Sequence, residues 1–162
     1  MRTITSSFDY QVYNSASELA EADQELLEKA KQAVATSHAP YSRYHVGAAV
    51  RLANGIIVTG SNQENMSFPA GLCAERVAVF AAVSNYPGVP LASLAITATA
   101  DTFEVAEPVP PCGMCRQAIV EFEMKHGNKI RVILGGHNGK VYIIDGMETL
   151  LPLTFHEAGL AK

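Results

Sequence analysis

The chain has 162 residues, 48% of them hydrophobic and 17% charged, a composition that supports one well-filled core and excludes disorder and a coiled coil. Lys and Arg total 12 against 16 Asp and Glu, a formal charge of −4 with no basic run, which argues against a nucleic-acid partner. The longest apolar run, 77–83, is too short to span a bilayer, and Met1-Arg2 leads into no secretory signal, so a soluble, cytoplasmic protein with no membrane partner is expected.

Near the N-terminus, Phe8, Tyr10 and Val12 alternate with Asp9 and Gln11, the period of a short strand. From about 23 to 37, Leu26, Leu27, Ala30, Ala33 and Val34 recur at three- and four-residue steps, which predicts an amphipathic helix. Residues 46–52 and 56–59 flank Asn54-Gly55, a strong hairpin signal. Pro69-Ala70-Gly71 precedes helix formers over 73–84, and 91–99 is a continuous β-branched and apolar stretch of the kind buried on both faces of a sheet. Pro108, Pro110 and Pro111 then introduce a helix over about 112–126, and 130–134 and 140–144 complete the strands before a short turn reaches Leu150-Leu151-Pro152. Strands interleaved with helices predict one α/β domain over 1–162, a three-layer α-β-α sandwich around a mixed sheet of roughly five strands.

Three cysteines are an odd number for a disulfide framework. Cys112 and Cys115 share one face at the start of a helix, where they suit either a metal ion or a redox dithiol. Cys73 also opens a helix, whose positive end stabilises a thiolate. Three thiolates at two helix N-termini suit Zn²⁺, one per chain. A fourth ligand from His38, His45, His126, His137 or His156 has no zinc-finger spacing, so an open position is expected, as in catalytic sites. Glu75 lies about 200° around the helix from Cys73, poorly placed as a ligand but near enough to exchange protons with a water on the metal. Its plainer alternative is a first-turn glutamate that complements the helix dipole.

Cys73-Ala74-Glu75 followed by Pro111-Cys112-Gly113-Met114-Cys115 is the zinc-deaminase signature with Cys in place of the first His. With Asn62-Gln63-Glu64-Asn65 and the flanking Arg76, Arg116 and Gln117, the chain resembles the cytidine deaminases of the homotetrameric three-cysteine type. The resemblance spans roughly 25–155 and leaves 1–22 as an N-terminal extension of unassigned role. It implies zinc-dependent deamination of cytidine and 2′-deoxycytidine to the uridine products and ammonia, in pyrimidine salvage. Glu75 would be the catalytic general acid/base and Cys73, Cys112 and Cys115 the metal ligands.

The resemblance also assigns contacts around a nucleoside substrate. Asn62 and Glu64 project the same way from an extended segment, and the matching pair in the family grips the ribose. Tyr44, Ala74 and Phe155 would meet the substrate, Phe155 from a neighbouring subunit of a tetramer with shared active sites. Arg76, and less directly Arg116, would draw negative charge from the sulfurs. Phe68 stands where Tyr is common and Met66 where a small residue is usual. Competing readings are a deaminase of a blasticidin-type nucleoside, which would not need the Asn62/Glu64 pair, a non-catalytic zinc module, and a redox Cys112–Cys115 pair.

Overall fold

The computed structural model describes residues 1–136 and 139–157. Six strands form one sheet: β1 (Gln11–Tyr13), β2 (Tyr44–Leu52), β3 (Ile57–Ser61), β4 (Leu91–Ala100), β5 (Arg131–Gly135) and β6 (Val141–Asp145), in the order β1-β6-β5-β4-β2-β3. Helix α1 (Glu21–Ala33) covers one face; α2 (Ala74–Asn85) and α3 (Gly113–His126) cover the other. This is the expected three-layer sandwich with one strand more than expected. The sixth strand comes from the N-terminal extension, whose Gln11–Tyr13 pairs antiparallel with β6. The ladder is shorter than the alternation over 8–12 implied, because alternating rings mark a face, not a hydrogen-bonded edge.

Strand alternation sorts the core into two layers. Ala48, Val50, Leu52, Leu94, Ile96, Val132 and Leu134 face α2 and α3, while Ala49, Ala95 and Ile133 face Leu26, Leu27 and Ala30 of α1. Two glycines set how closely helices approach. A Cβ on Gly47 would lie 2.0 Å from the Ala30 carbonyl oxygen of α1, and one on Gly60 would lie 2.4 Å from the Ala78 amide nitrogen of α2. The Asn54-Gly55 turn closes the β2–β3 hairpin as predicted, with Gly55 at φ +86° and its N–H donating to the Leu52 carbonyl at 2.9 Å.

Both β3 and β4 run antiparallel to β2, so they share a direction. The helices that follow them, α2 and α3, therefore begin at the same end of the sheet. That end, beyond the carboxyl ends of two like-directed strands, is where α/β sheets bind ligands. Among the described residues, no helix is long and apolar enough to cross a membrane.

Candidate active site

Cys73 and Cys112 are the residues that enter α2 and α3, each with extended backbone, so their sulfurs stand where each helix presents unpaired N–H groups. Cys115 is one turn into α3 and fully buried. The Cys73 and Cys112 sulfurs are 4.0 Å apart, those of Cys112 and Cys115 3.6 Å, and all three lie within 4.8 Å of one another. Thiolates on one tetrahedral zinc at about 2.3 Å stand about 3.8 Å apart, so this donor set fits the ion. Among the described residues no histidine joins the cluster; His137 lies outside them. The Cys115 thiol, hydrogen-bonded to Cys73, holds the Cys73 sulfur down to about 5, with further help from Arg76; the same bond pushes Cys115 up.

Glu75 is 5% exposed and shares the cavity that Cys73 and Cys112 line. Burial raises its carboxyl above the ordinary range, and the Cys73 charge adds to that. Arg76 turns back toward Cys73, with Nη2 3.9 Å from Sγ. Arg116 works elsewhere: Nε donates to the Pro111 carbonyl at 2.8 Å and Nη1 to the Leu150 carbonyl at 2.6 Å. It braces the turn that delivers Cys112.

A cavity of about 810 Å³ opens onto Cys73, Glu75 and Cys112, and Asn62, Glu64 and Tyr44 also line it. Asn62 is not wholly free for a ligand. Its Oδ1 accepts from the Val46 N–H and its Nδ2 donates to the Tyr44 carbonyl, both at 2.8 Å, which leaves one N–H and one lone pair. Glu64 Oε2 accepts from the N–H groups of Tyr41 at 2.9 Å and Ser42 at 3.2 Å. A hydrogen bond from the Ser42 hydroxyl, followed by these N–H groups, keeps the carboxyl below its usual range. Tyr44 is half-buried and stacked on Phe103, with ring centroids 6.1 Å apart; burial, then the Glu75 charge, keeps its phenol protonated. Ala74 is fully buried in the core beneath the cavity and does not line it. Phe155 is 69% exposed and also outside the cavity, its backbone tied to the Gln117 side-chain amide at both N–H and carbonyl. Phe68 does line the cavity, edge-on to Tyr41.

Two features lay beyond the sequence reasoning. The Val109-Pro110 segment forms part of the cavity wall, which its prolines alone did not signal. Glu123 of α3 is 6% exposed and accepts from the N–H groups of Ile130, Met147 and Glu148. A Glu in a helix gives no local sign of partners up to 25 residues away.

A three-sulfur metal centre at paired helix N-termini, with a buried carboxyl beside it and an open cavity in front, defines a zinc hydrolase of α/β type. Residues 20–128 match the family described as "Cytidine and deoxycytidylate deaminase zinc-binding region". The cytidine deaminase of Halalkalibacterium halodurans is 39% identical over 132 residues, which cover 82% of this chain and 92% of the relative. A blasticidin-S deaminase of Bacillus cereus is 27% identical over 139 residues, covering 85% of this chain and 94% of the relative. The crystal structure of cytidine deaminase from Burkholderia pseudomallei superposes with a TM-score of 0.71 at 34% identity, covering 81% of this chain and 97% of that one. The chain belongs to the cytidine and deoxycytidylate deaminase family, and zinc is its cofactor.

Proposed function

We propose that this chain hydrolyses cytidine and 2′-deoxycytidine to uridine and 2′-deoxyuridine plus ammonia, in cytoplasmic pyrimidine salvage. The observation that carries the reading is the buried Glu75 carboxyl beside three convergent sulfurs, at the floor of a cavity whose rim holds Asn62 and Glu64. The 39% identity to a cytidine deaminase over nearly its whole length supports the substrate class. The Asn62/Glu64 pair favours a ribose over a blasticidin-type substrate, since an amide and a carboxylate together both donate to and accept from a sugar hydroxyl.

Cys73, Cys112 and Cys115 hold the zinc. Bound there, zinc supplies a Lewis acid that brings the pKa of a coordinated water to about 7. Glu75 takes a proton from the attacking water and delivers it to N3 as the water oxygen bonds to C4. It then carries the remaining hydroxyl proton to the exocyclic nitrogen, the C4–N4 bond breaks and ammonia leaves. One carboxyl thus serves as base and acid in turn. Arg76, beside Cys73, offsets the charge of the thiolates. Tyr44 offers a protonated phenol and an aromatic face to the pyrimidine. The exposed Phe155 suits a homotetramer in which it covers the pocket of another subunit.

Absorbance of cytidine decides the reading when Glu75→Gln is compared with the parent. The amide keeps the shape but carries no proton, so turnover falls by roughly 10²–10⁴-fold while zinc content and melting temperature hold. Near-normal turnover in this variant refutes the proton-carrier role, and an inactive parent refutes the substrate.

A further inference from the structure

The matched family region begins at residue 20, so the segment carrying β1 has no counterpart in it. In the structure this segment faces the loop that walls the active site. Phe8 and Tyr10 lie over a second cavity of about 210 Å³, which Pro108, Pro110 and Arg116 also line. Pro110 lines the substrate cavity as well, so it is a wall common to both. Tyr10 meets Tyr142 edge-on, with ring centroids 5.1 Å apart. The Tyr142 hydroxyl donates to Glu107 Oε2 at 2.6 Å, and Lys140 holds the other oxygen of that carboxylate at 2.6 Å. Glu107 opens the segment 107–112, which supplies Val109 and Pro110 to the substrate cavity and ends at the ligand Cys112. From the other side, Arg116 ties Pro111 to Leu150.

We propose that the N-terminal segment 8–13 is a positioning element for the loop 107–112, acting through Tyr10, Tyr142 and Glu107. The pairing of β1 with β6 fixes Tyr10 over Tyr142. The Tyr142 hydroxyl, together with Lys140, in turn fixes the Glu107 carboxylate in a proline-rich loop outside helix and sheet. A loop with Pro at 108, 110 and 111 has few internal hydrogen bonds to hold it, because proline has no N–H to donate. Held from behind, it sets both the pocket wall and the Cys112 sulfur. The proposal rests on the deaminase reading above for its activity arm only.

The test compares the zinc-loaded parent with Tyr10→Ala, Tyr10→Phe and Tyr142→Phe, below the melting temperature of each. Two quantities are read: kcat/KM with cytidine, and the rate at which zinc passes to a coloured chelator. Displacement of a pocket wall by a fraction of an ångström predicts a roughly 5–20-fold fall in kcat/KM for Tyr10→Ala. Zinc release is expected to quicken by about fivefold in the same variant, since the Cys112 turn loosens. Tyr10→Phe recovers both, because the edge-on contact needs the ring and not the hydroxyl. Tyr142→Phe, which keeps the ring and loses the bond to Glu107, falls between. If Tyr10→Ala matches the parent within twofold in both quantities, or if Tyr10→Phe fails to recover them, the proposal is overturned while the deaminase reading stands. If the parent leaves cytidine unchanged, that reading fails instead, and zinc release alone decides whether the segment positions the loop.

Discussion

Replacing Glu123 by Ala removes an anchor that joins α3 to two other parts of the chain. One carboxylate oxygen accepts from Ile130 N–H at 2.8 Å and Met147 N–H at 2.7 Å, and the other from Glu148 N–H at 3.0 Å. A hydrogen bond to a charged group contributes roughly 1.5–3 kcal/mol, so the three have a ceiling near 9 kcal/mol. They share one acceptor group and are not additive, and the Glu148 N–H is only partly buried and can find water. An expected loss of about 4 kcal/mol follows. For a domain of this size that lowers the melting temperature by roughly 8–16 °C, readable by circular dichroism. Glu123→Gln keeps one carbonyl oxygen and should cost about half as much. The turn over 147–150 carries the Leu150 carbonyl that Arg116 grips, so zinc affinity should fall along with stability. A shift below about 3 °C for Glu123→Ala would show that the backbone groups find water or other partners, and the reasoning would fail.

Cys112→Ala should lose most bound zinc in metal analysis of purified protein, because two remaining sulfurs do not hold the ion at a catalytic geometry; full occupancy would remove Cys112 from the ligand set. Asn62→Ala and Glu64→Ala should each reduce kcat/KM for cytidine by roughly 10²-fold or more with zinc content intact, since a site built around a hydroxyl discriminates strongly against a missing partner. Efficient conversion of free cytosine by the parent would refute that sugar recognition. Mixing inactive Glu75→Gln with a separately impaired Phe155→Ala under subunit exchange should restore part of the activity; verified exchange without recovery would confine Phe155 to its own chain.

Local signals carried most of the fold. The Asn54-Gly55 hairpin, the apolar stretch that became central β4 and the periodicity of α1 each depend on neighbours in sequence, and each stands close to where it was expected. The ends drifted where tertiary contacts decide. Residues 34–36 tighten into a 3₁₀ turn instead of prolonging α1, and its end carries Ser37, whose hydroxyl meets the His45 ring. The three cysteines were legible as a set because their residue type and helix-opening positions were both visible in the sequence. The Asn62 side chain was not: its two bonds to the backbone of β2 depend on a register 16 and 18 residues away. Arg116 illustrates the same limit. Its charge suggested the sulfurs, but carbonyls of Pro111 and Leu150 lie nearer its reach, and the second of these comes from 34 residues further along.

The site's design follows from strand direction. Because β3 and β4 both oppose β2, and β5 is parallel to β4, the chain must cross over after β3 and after β4, and both crossovers use helices that start at one end of the sheet. Two cysteines 39 residues apart, each at a helix entrance, are thereby brought to 4.0 Å. Helix N-termini supply partial positive charge, and three thiolates on a divalent ion carry a net −1, so the backbone offsets charge that the metal alone leaves over. Arg76 adds a full charge on the same side. Glu75 then completes the arrangement through its position within α2. It stands in the first turn of α2, just past the entrance that Cys73 forms with extended backbone. The same turn buries it, and burial is what raises its carboxyl toward the range where a proton can be both accepted and returned.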